Sequence, residues 1–239
     1  MPILVIANRN YSSWSLRAWL AIRHAGIAFD EIAVDLADPD SRAEILRHSP
    51  SGKVPALREG SLVVWESLAI CEYVAEQNPA MWPAENRARS IARSVSAEMH
   101  AGFAALRSAM PMNLRATGRQ VEITPEIAAD IERIERIWSD CRGRFGYGSG
   151  PWLFGEWSLA DAMFAPVATR FVTYGIHRPG VVDDYIATVF ADPAFQEWRS
   201  GALAETSCVA SSEVGEQGSL PPAAKSARRA KSGKTPAGD

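Results

Sequence analysis

The sequence predicts a small α/β domain followed by an all-helical domain. Up to residue 83, short apolar runs suited to buried strands alternate with apolar residues at helical spacing. Beyond Pro83 the strand signal nearly vanishes and only helical periodicity remains. From residue 206 the chain turns rich in Ser, Ala, Gly and Pro without a periodic apolar face. We therefore predict an α/β domain at 1–83, a helical domain at 87–205 and a disordered tail at 206–239.

The α/β domain is predicted to have the element order β-α-β-α-β-β-α. Gly26 is a C-terminal stop for the first helix, Glu59-Gly60 suits a tight turn between two strands, and Pro79 ends the last helix. The predicted elements are a strand at 2–7, a helix at 15–25, a strand at 29–36, a short helix at 41–47, two strands within 54–65 and a helix at 67–77.

Three further helices are predicted in the second domain. A long amphipathic helix has apolar residues at three- and four-residue steps from Ile91 to Met110. Another begins at Thr124-Pro125, with Thr124 as N-cap and Pro125 at the first helical position. A third begins at Ser158, where Asp161 reaches back to the cap N–H. We therefore interpret Asp161 as a folding device rather than a catalytic acid.

Composition and charge narrow the range of functions. Of the 239 residues, 47% are hydrophobic and 22% charged, and the net charge of -3 gives no reason to expect nucleic acid as a partner. No apolar run approaches the roughly 20 residues that span a bilayer, and no signal peptide is recognisable. The three cysteines and four histidines lack the spacing of a disulfide framework or a metal site. We expect a cytoplasmic protein without a metal and without a membrane partner.

Ser12 and Ser13 are the first candidates for chemistry, because they lie between a buried strand and a predicted helix start. A helix N-terminus favours an anion, and a serine hydroxyl there can donate to a thiolate and lower the pKa of the thiol. N-capping alone also accounts for a serine at this position.

Two further pairs suggest a peptide-like ligand. If the Val54–Pro55 bond is cis, the Val54 backbone would be free to pair with such a ligand. Ser67, at the start of a helix, can present its hydroxyl and N–H to a carboxylate, while Glu66 can hold an ammonium group. Taken alone, the second pair is better explained by capping and a surface acid.

Together, the motifs YSSWSLRAWLA, SGKVPAL and WESLAICEYV resemble the glutathione transferase superfamily, in particular its serine-type cytosolic classes (zeta, theta and tau-like). The resemblance covers residues 2–204. It implies a thioredoxin-like N-terminal domain and an all-α C-terminal domain, the glutathione transferase fold, and a homodimer. It also implies glutathione as co-substrate.

The resemblance assigns roles to individual residues. Ser12 falls on the thiol-activating serine, with Ser13 next to it as the other catalytic candidate and Arg17 completing the spacing. Trp14 stands where the zeta-like pattern has Cys, which argues against an omega-like cysteine mechanism. The glutathione-binding residues it implies are Ser12, Lys53, Val54, Pro55, Glu66 and Ser67.

A second-substrate pocket is expected beside the thiol. Its implied residues are Tyr11, Trp14, Phe103, Met110, Asn113 and Arg115, although core packing explains Met110 and Met112 equally well. The expected reaction is attack of a serine-activated glutathione thiolate on a small, largely apolar electrophile, by conjugation or isomerisation. The alternative is a non-catalytic binding or scaffold protein of the same fold. A thioredoxin-like redox enzyme is disfavoured because no cysteine lies at 12–15.

Overall fold

A four-stranded mixed sheet forms the centre of the first domain in the computed structural model, which describes residues 1–217. The strands lie in the order β2-β1-β3-β4, with β1 parallel to β2 and antiparallel to β3, and β3 antiparallel to β4. Their bounds are β1 Ile3–Ala7, β2 Asp30–Val34, β3 Ala56–Glu59 and β4 Leu62–Trp65.

Helices cover both faces of this sheet, because β1 is apolar on both sides. Leu4 and Ile6 face one layer and belong to the main core, whereas Val5 faces the other and packs with Ile45. The helices are α1 Ser13–His24, α2 Ser41–Leu46 and α3 Ser67–Gln77, and α1 packs directly against α3. The predicted order β-α-β-α-β-β-α is confirmed, and so is the fold class.

The rest of the described chain is mainly helical. Helix α7 lies at its centre, with nearly every residue buried, and contacts α1, α4 and α8. The helices are α4 Asn86–Ala101, α5 Ala104–Ala109, α6 Pro125–Cys141, α7 Leu159–Thr173, α8 Val181–Ala191 and α9 Pro193–Ala204. Within residues 1–217, no helix is both long and apolar enough to cross a membrane.

The prediction of one long helix from Ile91 to Met110 is wrong. The chain leaves helical geometry at Gly102, and Phe103 adopts a left-handed conformation with φ 58°, so that α4 and α5 are separate helices. A Cβ on Gly102 would lie 2.9 Å from the Glu98 carbonyl oxygen, which only glycine avoids. The apolar spacing continues across the break because Phe103 and Leu106 are still buried in the same core.

The two predicted N-caps are confirmed. Thr124 accepts from the Ile127 N–H at the start of α6, with Pro125 as first helical residue. At the start of α7 the Asp161 carboxylate accepts from the Ser158 N–H at 2.8 Å and from the Leu153 N–H at 3.1 Å. Complete burial raises the pKa of Asp161 to about 6. Asp161 thus joins the preceding loop to α7, as its interpretation as a folding device requires.

The predicted boundary of the disordered tail, at residue 206, lies too early in the chain. Residues 206–217 lie against the rest of the chain, and their last two form β6 Glu216–Gln217, which pairs antiparallel with β5 Arg119–Gln120. The segment is held by hydrogen bonds to charged side chains rather than by an apolar face, so hydrophobic periodicity did not reveal it. Residues 218–239, with the basic cluster, lie outside the described residues, and the division into domains stays a prediction.

Candidate functional site

Two adjoining cavities lie where the N-termini of α1 and α3 meet α5. They enclose about 270 and 480 Å³ and share Trp14, Lys53 and Val54 in their walls, so they form one continuous cleft. A third cavity, of about 820 Å³, lies apart from them between the start of α4 and the loop before α7, and none of the predicted site residues lines it. Below, the smaller and the larger cavity are the two parts of the cleft, of about 270 and 480 Å³. The cleft is therefore the candidate site.

The smaller cavity has the features of a binding site for a charged peptide end. Its walls include Val54, Pro55, Glu66 and Ser67, and the Val54–Pro55 bond is cis, as expected. Between residues 1 and 217, the Val54 backbone N–H and C=O have no hydrogen-bond partner. Ser67 is the first residue of α3, and its hydroxyl is buried without a partner in the same part of the chain. Buried polar groups are normally paired, so this hydroxyl fits a ligand acceptor.

Glu66 is held in an unusual backbone conformation at the rim of this cavity. Its φ is 68°, in a region that costs a non-glycine residue on the order of 1–3 kcal/mol. Its carboxylate lies 3.7 Å from His100 Nε2 and stays half exposed. Burial, together with the charge of Arg17, lowers the pKa of His100, so the imidazole is neutral near pH 7. A neutral His100 leaves the Glu66 charge available for a cation.

The hydroxyls of Ser12 and Ser13 have different partners. Ser12 is the N-cap of α1: its oxygen accepts from the Ser15 N–H at 3.2 Å, and its hydrogen is donated to Ser15 Oγ at 2.7 Å. Ser13 is the first helical residue, and its oxygen accepts from Arg170 at 3.3 Å. The capping role that the sequence leaves open for either serine thus belongs to Ser12. Ser13 keeps its own hydroxyl hydrogen for a further acceptor, in the wall of the larger cavity.

Three arginines concentrate positive charge around these serines. The guanidinium carbons of Arg17 and Arg107 lie 4.5 and 5.2 Å from the Trp14 ring centroid, and Arg170 reaches Ser13 from α7. Within residues 1–217 none of the three forms an ion pair with a carboxylate. Such a cluster favours an anion in the cleft.

Arg17 is the least well paired of these three cations. It is fully buried, and between residues 1 and 217 its Nε and Nη1 have no hydrogen-bond partner. Burial, with the charges of Arg170 and Arg107, lowers the pKa of Arg17 to about 9. Cys71 does not neutralise it, since burial raises the pKa of the Cys71 thiol to about 12. The charge of Arg17 is therefore uncompensated beneath Trp14.

The structure brings most predicted glutathione-site residues together, but only part of the predicted second-substrate pocket. Tyr11 and Trp14 line the larger cavity. Met110 and Asn113 are buried in the interior, Phe103 packs in the core, and Arg115 binds the carbonyl of Ser207 instead. None of these four residues lines either cavity of the cleft, whereas neighbours of theirs in the same segment do.

Other residues take their place in the larger cavity. Arg107 and Arg170 are the most informative, and Met112, for which the sequence left pocket lining and core packing equally open, also reaches the wall. Arg170 was recognisable as the one basic residue in the mainly apolar α7, but its contact with Ser13 spans 157 positions and has no local signal. The remaining lining residues that sequence reasoning missed are Leu36, Ile45, Gly52, Ser108 and Pro111. No group of side chains within residues 1–217 is arranged to hold a metal ion.

Comparison with known proteins agrees with this geometry. Residues 11–77 match the family model described as glutathione S-transferase, N-terminal domain. The chain is 26% identical over 171 residues to maleylacetoacetate isomerase of Rattus norvegicus, covering 69% of this chain and 76% of that protein. The N-terminal domain of the chain therefore belongs to the glutathione transferase superfamily. It is also 37% identical to a probable glutathione S-transferase of Oryza sativa subsp. japonica, over 68 residues that cover 28% of this chain and only 32% of the rice protein.

The fold of the superfamily extends over most of the chain. The theta class glutathione S-transferase of Xanthomonas axonopodis pv. citri, solved with glutathione bound, superimposes with a TM-score of 0.60 at 26% identity. The match covers 85% of this chain and 100% of that structure. The described chain therefore has the glutathione transferase fold, with a thioredoxin-like sheet domain and a helical domain.

Proposed function

We propose that the protein is a glutathione transferase whose serine-stabilised glutathione thiolate attacks a small electrophile, by conjugation or isomerisation. The observation that carries the proposal is the cleft whose smaller cavity holds Glu66 and the Ser67 hydroxyl, unpaired within residues 1–217, and whose adjoining cavity holds Ser13. The relatives named as a maleylacetoacetate isomerase and a transferase, and the similar structure with bound glutathione, support the same class of reaction.

Each end of glutathione has a matching group in the smaller cavity. The γ-glutamyl carboxylate fits the Ser67 hydroxyl and the N-terminus of α3, and its ammonium group fits Glu66. The cysteinyl backbone fits the Val54 N–H and C=O, which are unpaired between residues 1 and 217. Lys53, exposed at the junction, is placed for the glycine carboxylate. This arrangement leaves the thiol to point into the larger cavity.

Titration calorimetry should show glutathione binding with a Kd of about 1 mM or lower, about −4 kcal/mol. Ser67→Ala should weaken binding roughly 10-fold or more, because a hydrogen bond to a charged group contributes about 1.5–3 kcal/mol. Ser94→Ala on α4, where the hydroxyl donates to the Ser90 carbonyl, is the matched control and should bind normally. Absence of binding by the unaltered protein would overturn the proposed function, and binding without turnover of any electrophile would favour the scaffold alternative.

The geometry supports Ser13 over Ser12 as the donor to the thiolate. Ser12 already donates to Ser15, whereas the Ser13 oxygen accepts from Arg170, which polarises its hydroxyl. In the conjugation step the thiol proton passes to solvent and the sulfur forms a bond to the electrophilic carbon. The leaving group then departs with the bonding electron pair. Ser13 acts by stabilising the sulfur anion before attack.

Ser13→Ala should raise the pKa of the bound glutathione thiol by about 1 to 2 units, the loss of a charge-assisted hydrogen bond. Ser12→Ala should instead lower the free energy of unfolding by about 1 kcal/mol, with a smaller effect on the thiol pKa. Titration of the ultraviolet absorbance of the thiolate measures the thiol pKa in both variants. A shift confined to Ser12→Ala would restore the assignment made from the sequence, and no shift in either variant would exclude activation by serine.

The second substrate is proposed to carry a carboxylate beside an apolar part, rather than to be largely apolar. The larger cavity combines Pro111 and Met112 with the guanidinium group of Arg107. Arg170 is committed to the carbonyls of Met110 and Pro166, and Arg17 does not line this cavity. Of the two arginines in the cavity wall, Arg107 is therefore the one with more donors to spare in the described part of the chain.

A chloronitrobenzoate and its methyl ester provide a matched pair of electrophiles that differ in charge. After division by the uncatalysed rates, kcat/KM should favour the acid by about 10-fold, near the 1.4 kcal/mol of one charge-assisted hydrogen bond. Arg107→Gln should remove the preference, whereas Arg136→Gln on the exposed face of α6 should retain it. Equal turnover of acid and ester by the unaltered protein would contradict a carboxylate-bearing substrate.

We also propose a cytoplasmic homodimer in which the sheet domain of one subunit packs on the helical domain of the other. Besides the family resemblance, β4 is an edge strand with Trp65 and Leu62 exposed on it. Sedimentation at micromolar concentration should give twice the mass of the chain, and Trp65→Glu should shift it toward the monomer. A monomer mass for the unaltered protein would rule the dimer out.

A further inference from the structure

Residues 205–217, here called the C-terminal strap, return from the end of α9 to the candidate site. The Glu205 carboxylate accepts from the backbone N–H groups of Arg9 and Asn10 at 2.6 and 3.0 Å, directly after β1. Arg115 donates to the carbonyls of Glu205 and Ser207. The beginning of the strap is therefore fixed to the loop that leads to Ser12 and Ser13.

Glu213 is the residue of the strap that reaches the cavity wall. The Tyr11 hydroxyl donates to Glu213 Oε1 at 2.6 Å, and Asn113 Nδ2 donates to the same oxygen at 2.9 Å. Arg119 donates to the other carboxylate oxygen at 2.7 Å, and Arg115 donates to the Tyr11 hydroxyl at 2.7 Å. These five groups form a part-buried network in which the carboxylate is the central acceptor.

The network determines what Tyr11 can do in the site. Tyr11 lines the larger cavity together with Ser12 and Ser13. Its hydroxyl hydrogen is committed to Glu213, so it is not available to a thiolate in the cleft. Burial, and then the bond to Glu213, raises the pKa of Tyr11, which keeps the phenol protonated. Tyr11 therefore contributes a fixed apolar surface, and its orientation depends on an acceptor 202 positions away.

We propose that Glu213 is a positioning residue that holds Tyr11 as a wall of the second-substrate cavity, so that the C-terminal strap sets the specificity for that substrate. This inference rests on the proposed transferase function. Glutathione binding is independent of it, because the smaller cavity has no wall from the strap or from Tyr11.

Steady-state kinetics of Glu213→Ala should show KM for a chloronitrobenzoate raised about 5-fold or more, with the Kd of glutathione changed less than about twofold, since only the second cavity loses its wall. Glu216→Ala, which removes an exposed carboxylate three residues further along the strap, is the matched control and should behave as the unaltered protein. A purely structural role for Glu213 would lower the melting temperature without separating the two substrates.

A double-mutant cycle tests the route through Tyr11. If Glu213 acts through the Tyr11 hydroxyl, Tyr11→Phe should raise the same KM, and adding Glu213→Ala to it should have little further effect. If Glu213→Ala does not fold, as judged by circular dichroism, Tyr11→Phe together with Glu213→Gln carries the test. Additive effects, or an unchanged KM in an active protein, would overturn the inference and leave the proposed function standing. Failure of the unaltered protein to bind glutathione would overturn both.

Discussion

The loop between β1 and α1 carries the candidate serines, and its conformation depends on side chains from distant parts of the chain. Asn10 is completely buried and donates to Asn113 Oδ1, while its own side-chain oxygen accepts from the Arg115 N–H. Glu205 accepts from the two backbone N–H groups at residues 9 and 10. Because a satisfied buried polar network permits few alternative arrangements, this loop is fixed without regular secondary structure of its own.

This dependence explains why the strap is ordered although its composition is typical of disorder. The backbone N–H groups of Arg9 and Asn10 are partly buried and need acceptors, and each unpaired group would cost about 1–3 kcal/mol. Glu205 supplies both acceptors at the first residue of the strap. Arg115 then binds the carbonyls of Glu205 and Ser207, and Arg119 pairs with Glu213. Order in the strap and order in the site are consequences of the same contacts.

Sequence reasoning succeeded where the deciding interaction is local. Thr124 caps α6 from three residues away, Asp161 reaches back to Ser158, and Gly60 with φ 59° closes the β3–β4 turn. These contacts lie within a few residues, so residue type and spacing specify them. The motifs around Val54 and Glu66 were also recognisable, because the sheet and α3 place them by their position along the chain.

The errors arose where contacts span the chain. Apolar periodicity could not reveal the break at Gly102, because Phe103 remains buried on the same side of the core. The contact of Arg170 with Ser13 and that of Glu213 with Tyr11 join residues more than 150 positions apart. Composition suggested disorder for the strap because polar anchoring leaves no periodic pattern. The first of these contacts distinguishes Ser13 from Ser12, and the second holds Tyr11 in the wall of the larger cavity.

The magnitudes separate the roles of the three arginines. Lowering a thiol pKa by about 2 units requires about 2.7 kcal/mol. One hydroxyl bond to an anion contributes about 1.5–3 kcal/mol and a helix N-terminus about 0.3–1 kcal/mol, so Ser13 and α1 nearly suffice. Burying a guanidinium without a counter-ion costs several kcal/mol, more than this one thiolate needs.

The cluster of three arginines is better explained by two bound anions, a thiolate and a substrate carboxylate, than by the thiolate alone. Arg17 and Arg170 are buried, so in the proposed reaction Arg170 would act on the thiolate through Ser13 and Arg17 through its field alone. Arg107 lies in the cavity wall and still has donors free for a carboxylate. A thiolate and a substrate carboxylate in one cleft would repel each other, and that repulsion would oppose attack. Three cations around Trp14 offset the repulsion, which gives a physical reason for a charge excess that the fold alone does not require.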